Sequence, residues 1–126
     1  MKKFLVIGNP IEHSLSPRLH NYWFKQNNID ATYEKKQIEE VGIKEIISDI
    51  RNGNIKGINV TVPFKKKVIG FMDELSSFAK QTESVNIVYT EKKKIIGGNT
   101  DVPGFGASLN HINYNLKGKT VLILGA

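Results

Sequence analysis

The stretch Lys3-Phe4-Leu5-Val6-Ile7-Gly8-Asn9-Pro10 decides how the rest of the chain is read. A short apolar run that stops at glycine and an Asn-Pro pair reads as a buried strand. A helix signal follows: Ser16 offers an N-cap hydroxyl, and Pro17 sits where its missing N–H costs nothing. Leu19, Tyr22, Trp23 and Gln26 continue at helical spacing to about Asn27. A strand fits 31–37. Ile43, Ile46, Ile47 and Ile50 then fall at i, i+3, i+4 and i+7, one face of a helix that ends near Asn52-Gly53-Asn54. Residues 57–62 alternate, with Ile58, Val60 and Val62 on one side, Asn59 and Thr61 on the other, and Pro63 as the stop.

A helical region is expected from there to about Thr82, with Val68, Ile69, Met72, Leu75, Phe78 and Ala79 as its apolar residues. Residues 85–90 and 94–98 read as strands around a Glu-Lys-Lys turn. Asn99-Thr100-Asp101 before Pro103 predicts another helix, striped by Phe105, Leu109 and Ile112. The run Lys119-Thr-Val-Leu-Ile-Leu-Gly-Ala126 predicts a last buried strand. Strands alternating with helices imply an α/β fold with a mostly parallel mixed sheet. The polar stretch 113–119 is the one expected boundary, dividing a domain at 1–113 from a linker and lone strand at 114–126.

With 126 residues, 40% apolar and 24% charged, the composition is that of a globular domain. No apolar run approaches a membrane span, and the N-terminus lacks the long apolar region and cleavage site of a signal peptide. The absence of cysteine excludes a disulfide scaffold, thiolate metal ligation and cysteine catalysis, and suits a reducing cytoplasm. The net charge of +6 favours anionic partners. However, the lysine groups at 35–36, 65–67 and 92–94 come without an arginine-rich helix or an aromatic RNA-binding signature, so neither nucleic acid nor membrane is expected as a partner. His13, His20 and His111 are too scattered for metal-ligand spacing, and no metal site is expected.

Several polar residues fall at strand ends, where an open α/β sheet has its crevice. Ser14 and Ser16 place two hydroxyls before a helix N-terminus, suited to a carboxylate; alternatively Ser16 is an N-cap and Ser14 a loop residue. Asn59, Thr61 and Lys65 gather an amide, a hydroxyl and an ammonium group around one strand end. Lys65 is either a proton donor and acceptor or one more surface lysine. Asp101 either pairs with Lys65 or caps the helix before Pro103. Asn86 lies within a strand and needs partners if buried. The terminal Gly125-Ala126 has the form of the opening of a Gly-x-Gly-x-x-Gly dinucleotide loop, or of a last strand of the same sheet.

Four segments in order, Gly8-Asn-Pro-Ile-Glu-His-Ser-Leu-Ser-Pro17, Asn59-Val-Thr-Val-Pro-Phe-Lys65, Asn99-Thr-Asp-Val-Pro-Gly104 and Lys119-Thr-Val-Leu-Ile-Leu-Gly-Ala126, resemble the shikimate dehydrogenase family. The resemblance covers essentially the whole chain. It implies a three-layer α/β/α substrate domain followed by the first strand of a truncated NADP-binding Rossmann domain. The implied activity is the NADPH-dependent reversible reduction of 3-dehydroshikimate to shikimate, in the route to chorismate and aromatic amino acids, by a cytoplasmic monomer or homodimer. A quinate/shikimate dehydrogenase and a non-catalytic shikimate-binding regulatory module are the alternatives. By resemblance, Ser14 and Ser16 bind the substrate carboxylate. Thr61, Asn86 and Asp101 bind ring hydroxyls, Asn59 supports that wall, and Lys65 is the catalytic acid/base held by Asp101. Gly125 and Ala126 would begin the cofactor motif. The chain departs from the family where Glu83-Ser84 replaces Gly-Ala, where Ile87 replaces the threonine after Asn86, and where Ser77 replaces an acidic residue.

Overall fold

The computed structural model describes residues 1–125. Strand β1 (Lys2–Gly8) is buried on both faces, and each face recruits its own layer. Leu5 and Ile7 join a core with Ile58, Val60, Val88 and Ile95 from other strands. Its lid is helix α2 (Ile43–Arg51), whose Ile43, Ile46, Ile47 and Ile50 are all buried as their spacing predicts. Burying an isoleucine side chain is worth roughly 1.5–3 kcal/mol, so this face anchors the fold. On the opposite face, Phe4 and Val6 pack with Ile11 and Tyr33 under helix α1 (Ser16–Gln26). The result is the expected α/β/α layering.

Strands β2 (Ala31–Gln37), β3 (Gly57–Val60), β4 (Glu74–Leu75), β5 (Ile87–Glu91) and β6 (Lys94–Gly98) complete one sheet in the order β2-β1-β3-β5-β6-β4. The β1–β2, β1–β3 and β4–β6 pairs are parallel; β3–β5 and β5–β6 are antiparallel. The β5–β6 hairpin closes with Glu91 opposite Lys94, leaving Lys92 and Lys93 with φ of 48° and 66°. Both therefore take the left-handed conformation that a two-residue hairpin turn demands. Helices α3 (Ser77–Thr82) and α4 (Asp101–His111) precede and follow this hairpin. Among the described residues, no helix is long and apolar enough to cross a membrane.

Four expectations are corrected. The single helical region up to Thr82 is a 3₁₀ helix at Lys67–Phe71, strand β4 and then α3, because Asp73 and Leu75 meet β6 instead of continuing a helix. The run at 119–125 forms no strand, and Val121, Leu122, Ile123 and Leu124 are exposed. A strand needs a neighbouring edge for its backbone groups, and no described residue supplies one there. The stripe Leu19, Tyr22 and Trp23 faces outward, while α1 docks through Phe24 on Phe4 (ring centroids 5.7 Å apart) and His20 on Tyr33. Periodicity locates a face without saying what it meets. The α4 stripe is likewise not buried: Phe105 and Ile112 are both 66% exposed.

Gly8 ends β1 where no side chain fits. A Cβ there would lie 2.6 Å from Thr61 Cγ2, 3.0 Å from Ile11 Cδ1 and 3.1 Å from the Val62 carbonyl oxygen. Gly8→Ala is therefore expected to destabilise the chain by about 1–3 kcal/mol through overpacking, read as a lower midpoint in urea denaturation.

Candidate active site

Antiparallel pairing of β5 and β6 brings distant residues to one rim of the sheet. The C-terminal ends of β1 and β3, the start of β5 and the end of β6 all open on the same side. Ser14 and Ser16 follow β1, Thr61 and Lys65 follow β3, Asn86 precedes β5, and Asp101 follows β6. The peptide bonds before Pro10 and Pro63, in the loops after β1 and β3, are cis.

Lys65 is held from both sides of its loop. The buried Phe64 plugs the core, its N–H donating to the Thr61 carbonyl and its carbonyl accepting from Val68. The Lys65 carbonyl accepts from the Val85 N–H at 2.8 Å. Its ammonium group, half-buried, lies 2.7 Å from Asp101 Oδ2. The other oxygen, Oδ1, accepts from Asn86 Nδ2 at 2.9 Å. Asn86 is buried and its partners are in place: Nδ2 also donates to Thr100 Oγ1 at 2.8 Å, and Oδ1 accepts from the Thr100 N–H at 2.9 Å. An amide has two N–H groups and two lone pairs, so one acceptor position on Oδ1 is left over.

Asp101 does not cap α4. Asn99 does, its Oδ1 accepting from the Asp101 N–H at 2.9 Å and the Val102 N–H at 3.1 Å while its Nδ2 donates to the Ser84 carbonyl. The carboxylate is thereby left for Lys65. The serine loop resolves in a similar way. Leu15 occupies the N-cap position with no side-chain cap bond, so Ser16 is the first helical residue and not the cap. Ser14 Oγ accepts from the Ser16 N–H at 3.3 Å.

Tyr33 is the site residue that sequence reasoning missed. Its hydroxyl donates to Asn59 Oδ1 at 2.6 Å, and Asn59 Nδ2 donates to the Asn86 carbonyl at 3.3 Å. Burial pushes the Tyr33 phenol up to about 12, with a hydrogen bond from Ser16 acting the other way. His20 stacks on the ring, centroids 4.2 Å apart and 5° from parallel, and burial lowers its pKa. The signal available in the sequence was the lone tyrosine in a strand otherwise polar from Glu34 onward.

One hydrogen-bonded chain thus links Tyr33, Asn59, Asn86, Asp101 and Lys65. Thr61 stands beside Gly8 and is fixed by its backbone N–H on the Ile7 carbonyl. Gly125 is not part of this arrangement: it is exposed with φ of 77°, no described residue lies within 4 Å of where a Cβ would stand, and Ala126 lies outside the described residues. Gly125 has no helix N-terminus beside it, so the described residues form no cradle for a pyrophosphate. Among the described residues, no three His, Asp or Glu side chains gather as a metal site would need.

The changed residues around Asn86 are accommodated locally. Glu83 takes the left-handed conformation (φ 49°) at the end of α3, and Ile87 fits because Gly98, its partner in register, has no side chain. Glu83→Gly is expected to raise stability by about 1 kcal/mol, since glycine adopts that conformation without the steric cost; the exposed Lys66–Glu83 ion pair lost with it counts for little. Tyr33 generates a pH dependence. A phenol whose pKa is higher folded than unfolded contributes its stability in full below about pH 10, and that contribution fades as the pH climbs towards 12. Denaturation midpoints of the wild-type and Tyr33→Phe chains should therefore converge over that interval.

Residues 6–88 match the family model described as the shikimate dehydrogenase substrate binding domain. The chain is 55% identical over 125 residues to the NADP(+) shikimate dehydrogenase of Pelagibacter ubique, covering 99% of this chain and 47% of that protein. It thus spans about half the length of such relatives. Shikimate dehydrogenase 1 of Peptoclostridium difficile superposes with a TM-score of 0.91 at 32% identity, over 100% of this chain and 47% of that one. Shikimate 5-dehydrogenase of Listeria monocytogenes, solved in complex with shikimate and NAD, gives 0.88 at 29% identity, over 94% and 41%. With two thirds of its residues inside the family model and its rim carrying the paired lysine and aspartate, the chain belongs to the shikimate dehydrogenase substrate-binding domain family.

Proposed function

We propose that this chain is the substrate-binding part of an NADP-dependent shikimate dehydrogenase that reversibly reduces 3-dehydroshikimate to shikimate. It would occupy 1–113, with 114–126 leading into the nucleotide-binding part. The observation that carries the reading is the Lys65–Asp101–Asn86 cluster at the sheet rim, where an ammonium group is held at 2.7 Å by a carboxylate that is itself fixed. A pure binding module has no need of that pair.

Reduction of a ketone adds a hydride to carbon and a proton to oxygen, and the proton is this chain's share. Lys65 Nζ gives it to the carbonyl oxygen in the reduction and takes it back in the oxidation. Asp101 keeps the ammonium group in place and accepts from a ring hydroxyl. A cation beside the developing alkoxide also stabilises it before the proton has moved. Ser14 and Ser16 hold the substrate carboxylate near the positive end of α1, and Thr61 and Asn59 face the ring hydroxyls. Asn86, with its N–H groups engaged inside the protein, serves as an acceptor for a substrate hydroxyl. NADP is the dinucleotide in the relatives' names and the one inferred for the complete protein; the residues described here do not build its site.

Lys65→Ala in the complete protein is expected to lower kcat by about 10²–10⁴-fold, the range for a general acid, while the Kd for shikimate measured by calorimetry shifts far less. Turnover equal to wild type would remove Lys65 from the mechanism.

A further inference from the structure

We infer that Tyr33 is a positioning residue: its phenol holds the Asn59 side-chain amide, whose direction the Asn86 carbonyl fixes, and so ties β2 across β1 to the Lys65–Asp101–Asn86 cluster. The kinetic part of this inference rests on the shikimate site proposed above; the geometric part does not.

The register explains why the job falls to this side chain. Tyr33 pairs with Phe4 on β1, and Asn59 pairs with Val6 on the other side of β1. Two strand spacings, about 10 Å, separate β2 from β3. The phenol crosses over β1, packed on Val6, to reach Asn59 Oδ1 at 2.6 Å. The residue is held at its backbone and on its ring. Asn21 on α1 takes both Tyr33 backbone groups, donating to its carbonyl at 2.8 Å and accepting its N–H at 2.9 Å. His20 stacks on the face at 4.2 Å. Tyr33 is only 4% exposed.

The direction of the Asn59 amide follows. Its far end faces the carbonyl oxygen of Asn86, which only accepts, so Nδ2 must lie there. A flipped amide would set oxygen against oxygen and leave the phenol without its acceptor. With both ends fixed, Asn59 keeps one N–H to offer a substrate hydroxyl. One buried group therefore steadies a donor on this wall of the pocket. It does so without touching the reacting atoms, so its loss should weaken substrate binding more than the chemical step.

Steady-state kinetics of Tyr33→Phe in the complete protein test this. KM for shikimate is expected to rise about ten-fold, with the pH profile of kcat unmoved. In an Asn59→Ala background, adding Tyr33→Phe should change nothing further; additive losses in KM would overturn the inference. In the 126-residue chain, proton NMR should show a slowly exchanging Tyr33 hydroxyl proton that Asn59→Ala abolishes, and its persistence in that variant would also overturn it. If the proton behaves as expected but shikimate does not bind the complete protein, the substrate reading fails and the positioning role stands. If shikimate binds and Tyr33→Phe leaves KM unchanged, the positioning role fails and the substrate reading stands.

Discussion

An amide removed from water has to make its hydrogen bonds inside the protein, and Asn86 makes three of them with Thr100 and Asp101. Unmade, each would cost about 1–3 kcal/mol in a buried setting. That obligation pins the residue before β5 to the residues after β6, beside the bond from Asn99 to the Ser84 carbonyl. The carboxylate of Asp101 acquires its direction from this contact, and Lys65 acquires its place from the carboxylate. The Asn86 backbone contributes too, its carbonyl receiving the Val60 N–H and the Asn59 amide. The rim is thus organised outward from one asparagine.

Helix ends show how such a site is kept available. A carboxylate one or two residues before a proline is a natural cap for the helix that follows. Here Asn99 performs that task from a buried position, also receiving support from Thr82 and Ser84. Two polar side chains at the same turn divide the work, one serving the backbone and one facing the cleft. On the opposite wall Ser14 likewise serves the backbone, accepting from the Ser16 N–H.

The α/β alternation, the isoleucine face of α2 and the strand ends that carry polar residues could all be read from spacing, because each reflects a local period against a large apolar layer. The pairing of Lys65 with Asp101 was one of two open readings of the aspartate until the family resemblance favoured it; nothing in their separation of 36 residues dictates a contact. Three features were out of reach for physical reasons. The two-residue strand β4 carries no period of its own. The outward stripe of α1 looks the same in sequence as an inward one. Tyr33 acts across an intervening strand, a relation that only register reveals. Where the chain leaves the family pattern, the compensation is also spatial, with Gly98 opposite Ile87.

The unpaired run Thr120-Val121-Leu122-Ile123-Leu124 has a colloidal consequence. Its aliphatic side chains are 60–86% exposed, it holds no charge and no proline, and its backbone groups are not engaged in a sheet. Those are the attributes of a segment that seeds intermolecular strand pairing. In dilute solution the net charge of +6 keeps copies apart by mutual repulsion. Salt that screens this repulsion weakens the force that opposes such pairing.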